Sequence, residues 1–260
     1  MTSRGPLVVV VDAIDRAHPG LERAHDLARL LPVASVEQLE PHVGELEAVF
    51  AWNFDRPMLL EIVPRAPRLR WIQSISAGVE DLSSPVLRER RIVLTNAAGV
   101  YDPGLAESVL GFLLAFSARL LEDARREPGD WVPGPIRLLR GTNALIVGAG
   151  SIGTETGRLL AAAGLHVRGI ARTPRPAAAP FESIAGPSDL LAELEAADHV
   201  VDVLPITPAT RGLFDAAAFA AMKTTGLFVN IGRGSTVDER ALIEALEGGV
   251  VGRPGRRRVG

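Results

Sequence analysis

Residues 144–153 read ALIVGAGSIG, and no other stretch narrows the possible folds as much. An apolar run enters three glycines, Gly148, Gly150 and Gly153, and a helix-forming segment, SIGTETGRLLAAAG, leaves them. The spacing G-x-G-x-x-G is weak by itself. Between a strand and a helix it predicts a dinucleotide-binding βαβ unit, against the plainer reading of a ligand-free glycine turn. The three glycines serve different ends. Gly148 permits the tight turn, Gly150 lets the backbone approach a pyrophosphate, and Gly153 lets helix and strand pack closely. The N–H groups of Ser151 and Ile152, at the positive end of the helix dipole, form an anion site.

The second strand of the unit bears on which dinucleotide binds. NAD binding calls for a carboxylate at the end of that strand, where it grips the ribose 2′-hydroxyl. Here the strand ends HVRGIART, with Ala171 in the slot and Arg172 and Thr173 after it. A guanidinium and a hydroxyl suit a 2′-phosphate instead. NADP(H) is therefore favoured within NAD(P). The alternative is that Arg172 is a loop charge in solvent, and Arg175 is either a second helper or surface.

The flanking sequence repeats the same alternation. LVVVVD, EAVFAW, LRWIQSISAG and RIVLTNAAG read as strands, with GLERAHDLARLL and PMLLEIVPRAP as helices, the second stopped by Pro64. This predicts a small flavodoxin-like βα domain over residues 1–97. A long helix from about Pro103 to Arg126 follows, and EPGDWVPGP closes it. From Asn143 the series NALIVGAG, LHVRGIAR, FESIA, DHVVDVLP and GLFVNIGR supplies strands, with DLLAELEAA, FDAAAFAAM and DERALIEALEGG as helices. Residues 98–260 are thus expected to form an α/β, Rossmann-type, doubly wound parallel sheet.

Composition removes several classes of function. Hydrophobic residues at 47% against 23% charged predict buried cores, and a net charge of −3 offers no field to draw in nucleic acid. There is no cysteine, so disulfides, thiol nucleophiles and thiolate metal sites are excluded. The apolar run after Arg4 is too short for a signal peptide, and Glu107 and Arg119 interrupt the most apolar helix. The expectation is a cytoplasmic chain with no membrane partner and no metal.

Five segments together resemble the D-isomer-specific 2-hydroxyacid dehydrogenases: SAGVED (76–81), TNAAGVYDPGLAES (95–108), GAGSIG (148–153), LPITPATRGLF (204–214) and LFVNIGRGSTVDERALIEAL (227–246). The resemblance runs from about residue 50 almost to residue 250, and its last two motifs are specific. It implies hydride transfer between NAD(P)H and a 2-oxo/2-hydroxy acid. Arg233 would bind the substrate carboxylate and polarise the keto oxygen, as a fixed bidentate cation can. Ala77, Gly78 and Val79 would present loop N–H groups to the same carboxylate. Ser151 and Ile152 would meet the pyrophosphate, Leu204, Pro205 and Thr210 would flank the cofactor, and Ile231 would lie near the nicotinamide. Trp52, Asn53 and Tyr101 are candidates to line the pocket. The helix near residues 103–126 would form a homodimer contact. A different class stays open: a non-catalytic NAD(P)-binding sensor or corepressor-like protein on the same fold.

The reaction also needs a proton, and a histidine paired with a carboxylate is its natural donor. The resemblance puts that glutamate and histidine C-terminal to Arg233, beyond Gly260. His18, His25, His42, His166 and His199 read as structural or surface residues. The ending EGGVVGRPGRRRVG is accordingly expected to be a frameshift product, as an Arg/Pro/Gly run is typical of GC-rich coding read out of frame. On that reading the chain lacks the last strand of its sheet and the segment returning to the first domain, and turnover is impaired. A disordered natural end and a basic arm are the competing readings.

Overall fold

The computed structural model describes residues 6–11, 21–51, 59, 61–79, 82, 84–127, 129 and 134–250. Trp52, Asn53, His18 and the 251–260 tail lie outside the described residues. The chain divides into two compact units, Met1–Val100 and Tyr101–Gly260.

In the first unit, β1 (Leu7–Val11), β2 (Arg29–Val33), β3 (Leu46–Ala51), β4 (Trp71–Ser74) and β5 (Val93–Thr95) form a parallel sheet in the order β2-β1-β3-β4-β5. That order is the flavodoxin-like one. Val9, Val49 and Ile72 supply its core, packed with Leu39, Ile62 and Leu87 from the helical segments. One expected helix is corrected. GLERAHDLARLL is a 3₁₀ turn over Leu21–Asp26 followed by β2, not a helix. The leucines have helical spacing, but Leu27 is 74% exposed, and pairing of Arg29–Val33 with β1 decides the conformation. Pro32 is tolerated there because β2 is an edge strand. Pro64 does mark the end of α-helix in its segment: Glu61 and Ile62 are helical, and a single 3₁₀ turn over Val63–Arg65 follows.

In the second unit, β6 (Asn143–Val147), β7 (His166–Ile170), β8 (Ser183–Ala185), β9 (His199–Asp202) and β10 (Leu227–Asn230) form a second parallel sheet, ordered β10-β9-β6-β7-β8. Counted from β6, this is the first half of a doubly wound sheet on one side and the start of the second half on the other. The strand order reverses between β6 and β9. β6 is central and buried on both faces, which is why Ala144–Val147 is a continuous apolar run. Helix Ser151–Ala162 lies close over it because Gly157 has no side chain: a Cβ there would lie 3.3 Å from Ile146 and from Val167. On the other side, Phe214 and Phe219 pack on Phe228 with ring centroids 4.8 and 5.5 Å away, tying helix Ala216–Ala221 to β10.

The helix expected from Pro103 to Arg126 is shorter, spanning Asp102–Ser117, and a separate turn covers Leu120–Asp123. Arg119 breaks it with a left-handed backbone, φ +59°. Two contacts account for the break: the returning chain donates the Arg137 N–H to the Ser117 carbonyl at 3.0 Å, and Arg119 pairs with Glu122 at 2.7 Å. Ala106, Val109 and Leu113 face the core, whereas Phe112, Leu114 and Phe116 are exposed. Among the described residues no helix is long and apolar enough to cross a membrane, and no group of three His, Asp or Glu could hold a metal ion.

Candidate active site

The glycine loop follows β6 at the point where the strand order reverses, the place where doubly wound sheets open a crevice. Its three glycines answer to three different constraints. Gly148 has φ +115°, and a Cβ there would lie 3.0 Å from the Val203 carbonyl oxygen. A Cβ on Gly153 would lie 2.1 Å from the Gly148 oxygen, so the helix cannot sit where it does with any side chain there. Gly150 has open space around its Cβ position and an ordinary φ of −87°. The protein's own packing therefore does not require glycine at 150, and the open space there is room for a ligand.

The loop is preset for an anion. Gly148 and Ala149 both donate to the Ile170 carbonyl, at 2.9 and 3.0 Å, which fixes the turn. Ser151 and Ile152 then stand in the first helical turn, whose N–H groups have no acceptor within the helix. The Ser151 hydroxyl is engaged elsewhere: it donates to Asp102, a buried carboxyl at the start of helix Asp102–Ser117. A pyrophosphate would thus be met by main-chain N–H groups, and these residues fit one. After β7, Ala171 is buried and Arg172 and Thr173 are exposed in a bend. Arg175 reaches back and donates to the Ala149 carbonyl at 2.6 Å, so the basic segment lies against the glycine loop.

The second half of the site is built on β9 and β10. Asp202, fully buried, ends β9, and its Oδ1 accepts the Leu204 N–H at 2.9 Å, turning the chain out of the sheet. Burial pushes this carboxyl above its ordinary range, while hydrogen bonds from Thr236 and Leu204 pull the other way. The Ile231 N–H donates to the Asp202 carbonyl at 3.0 Å, and Gly232 fits against Leu204 so closely that a Cβ would lie 2.6 Å from its carbonyl oxygen. Gly148 against Val203 and Gly232 against Leu204 make the glycine loop, the Leu204 segment and the Arg233 turn neighbours. Arg233 is half-buried at the head of the 3₁₀ turn Gly234–Thr236. Pro205 is exposed, and the Thr210 hydroxyl is used by its own turn, donating to the Pro205 carbonyl at 2.7 Å. Further on, Gly212, Phe214 and Asp238 bond across to Ser235, Thr236 and Phe214, each at 3.0 Å, zipping this segment to the Arg233 turn.

In the first unit, Ala77, Gly78 and Val79 form a half-buried loop after β4, held by Asn96, which donates to the Ala77 carbonyl at 2.6 Å. In the second unit, His166 and His199 begin β7 and β9, at the opposite strand ends from Ile170 and Asp202. His199 is buried, with Nε2 3.1 Å from the Thr142 hydroxyl, and burial holds its imidazole below the usual range against the Asp198 carboxylate. Sequence reasoning passed over Asp102, Asp202, Asn230 and Thr236. The available signal was a carboxylate inside the apolar run HVVDVL, since a charge in a buried strand needs a partner.

A family model for the NAD binding domain of D-isomer specific 2-hydroxyacid dehydrogenases matches residues 110–255. Over 197 residues the chain is 32% identical to glyoxylate/hydroxypyruvate reductase B of Klebsiella pneumoniae, covering 73% of this chain and 61% of the relative. It also resembles the crystal structure of a D-isomer specific 2-hydroxyacid dehydrogenase family protein from Aeromonas salmonicida, with a TM-score of 0.81, 30% identity, and 95% and 79% of the two chains covered. A D-isomer specific 2-hydroxyacid dehydrogenase from Xanthobacter autotrophicus Py2 in complex with NADPH and MES matches with a TM-score of 0.77 and 27% identity over 95% and 78% of the chains. The chain spans 66, 61 and 60% of the length of three curated relatives that it matches.

Proposed function

Since the chain belongs to the D-isomer-specific 2-hydroxyacid dehydrogenase family, we propose that it is an oxidoreductase acting between NAD(P)H and a small 2-oxo or 2-hydroxy acid. The observation that carries this reading is the contiguity of three segments distant in sequence: Gly148 lies on Val203, and Gly232 lies on Leu204. An anion cradle and a half-buried guanidinium are thereby neighbours at one end of one sheet. A bound reduced nicotinamide would supply a hydride to the keto carbon, and the keto oxygen would take its proton from water. Ser151 and Ile152 hold the pyrophosphate by their N–H groups, Leu204, Pro205 and Thr210 flank the coenzyme, and Ile231 lies near its nicotinamide. Arg233 grips the acid's carboxylate with two parallel N–H bonds and stabilises charge growing on the keto oxygen. Ala77, Gly78 and Val79 add main-chain N–H groups to the same carboxylate.

NADP(H) is the preferred coenzyme on this reading, with Arg172 and Thr173 on the 2′-phosphate. The absence of a carboxylate after β7 supports it, as does the NADPH bound by the Xanthobacter relative. The acid is a short one such as glyoxylate or hydroxypyruvate, the substrates in the name of the Klebsiella relative. The chain acts in the cytoplasm as a homodimer, with a second copy covering Phe112 and Phe116 on helix Asp102–Ser117. His166 and His199, at the far strand ends, do not supply the proton. That same placement favours a second reading, a dinucleotide-binding sensor without turnover.

The test is coenzyme oxidation by the purified chain with each acid, beside direct NADPH binding. Acid-dependent oxidation lost in Arg233→Ala, with NADPH binding kept, supports the enzyme. NADPH binding without turnover favours the sensor, and failure to bind either coenzyme sinks both.

A further inference from the structure

Arg233 stands between Gly232 and Gly234, so its own stretch of chain has the loosest backbone available. A guanidinium that must meet two carboxylate oxygens at once needs the opposite, a main chain held to a fraction of an ångström. Three side chains beneath the turn supply that hold: half-buried Asn230 and fully buried Thr236 and Asp202. Asn230 Oδ1 accepts the Gly232 N–H at 2.8 Å, and Asn230 Nδ2 donates to the Arg233 carbonyl at 3.2 Å and to the Thr236 hydroxyl oxygen at 3.3 Å. The Thr236 hydroxyl lies 2.6 Å from the Arg233 carbonyl oxygen and is also hydrogen-bonded with Asp202 Oδ2.

Proton counting decides how this cluster works. The Thr236 hydroxyl has one proton, and two acceptor oxygens stand beside it. A carbonyl brings no proton. Both contacts are hydrogen bonds only when Asp202 carries one, donating it to Thr236 while Thr236 donates to Arg233. The other carboxyl oxygen, Oδ1, then accepts the Leu204 N–H as observed. Every polar atom of the cluster is satisfied in that state. With Asp202 ionised, the one Thr236 proton can serve only one of the two oxygens: when it turns to the carboxylate, the Arg233 carbonyl keeps its Asn230 Nδ2 and Thr236 N–H donors, at 3.2 and 3.0 Å, but loses the bond that ties it through Thr236 to β9.

We infer that Asp202 and Thr236 are positioning residues for Arg233: the neutral Asp202 carboxyl, relayed through the Thr236 hydroxyl, fixes the Arg233 main chain and so the aim of its guanidinium. This rests on the reading of Arg233 as the anchor of the substrate carboxylate. The raised affinity of Asp202 for its proton, caused by burial, agrees with the neutral state.

The test titrates oxamate, an unreactive 2-oxo acid analogue, into the full chain saturated with NADPH. Amide hydrogen exchange of residues 230–237 and NADPH affinity are followed on the same samples. Thr236→Val keeps the size and removes the relay, and should weaken oxamate about ten-fold or more. It should also speed exchange through the turn and weaken NADPH by much less than it weakens oxamate. Thr236→Ser restores the hydroxyl, and Asp202→Asn keeps a donor toward Thr236 and an acceptor for Leu204; both should recover oxamate binding and slow exchange. Oxamate affinity and exchange in Thr236→Val equal to those of the unaltered chain would overturn the inference, as would Thr236→Ser as impaired as Thr236→Val. Arg233→Ala binding oxamate as well as the unaltered chain, or no oxamate binding by the unaltered chain, would overturn the reading of Arg233 itself and this inference with it.

Discussion

Replacing Gly150 by alanine should separate what the fold requires of the glycine loop from what a ligand requires. The added Cβ meets nothing within 4 Å, and φ is −87°. Gly→Ala at a compatible site gains about 0.4–1 kcal/mol through the unfolded chain. Alanine is a poorer helix N-cap than glycine by a similar amount. The two offset, so stability should move by less than about 0.5 kcal/mol. Coenzyme binding should respond very differently. The methyl group fills the space through which a pyrophosphate reaches the Ser151 and Ile152 N–H groups. Losing one or two charge-assisted hydrogen bonds, each about 1.5–3 kcal/mol, amounts to roughly 3 kcal/mol, or about 10²-fold in affinity. Gly153→Ala is the counterpart: with its Cβ 2.1 Å from the Gly148 oxygen, it should destabilise by about 1–3 kcal/mol or more as the helix is forced outward. Urea unfolding and NADPH fluorescence titration of both variants decide the matter. Unaltered NADPH affinity in Gly150→Ala would refute a pyrophosphate at this loop, and unfolding of Gly150→Ala as severe as that of Gly153→Ala would refute the steric account.

Three further outcomes are expected. Arg172→Ala should weaken NADPH by about ten-fold, one charged hydrogen bond, and leave NADH unchanged; equal losses for both coenzymes in binding assays would exclude a role on the 2′-phosphate. Burial depresses the affinity of His199 for a proton, so the fold accommodates the neutral ring. Its contribution is complete above the unfolded value of about 6.5 and is lost as pH falls below it. Unfolding midpoints should drop toward acid, and the drop should shrink in His199→Asn. Phe112→Glu together with Phe116→Glu should convert a dimer to a monomer in light scattering, and an unchanged mass would place the contact elsewhere.

Much of the second unit was legible from one-dimensional patterns. β6 is buried on both faces, so its sequence is an unbroken apolar run, and the glycine spacing records a turn, an approach and a close packing that only glycine allows. The first unit was harder. Leu21–Leu31 carries helically spaced leucines, yet its last three residues belong to a strand, because pairing with β1 is a long-range fact that no local window contains. The Ser117 helix end is similar: it depends on Arg137 returning from later in the chain. In the site, Arg233 and the glycines stand in motifs. Asp202, Asn230 and Thr236 act through each other, and residues 202 and 236 meet only once β9 and the turn after β10 are folded side by side.

The zipper between residues 212–214 and 235–238 has a thermodynamic consequence. It joins the segment proposed to flank the coenzyme to the turn that carries the acid's anchor, so the two share one set of fluctuations. Whichever ligand arrives first quiets both segments, and the second then surrenders less freedom on binding. The coupling is reciprocal, with each ligand tightening the other by the same factor. Each ligand is therefore held weakly until the other is in place, whichever comes first.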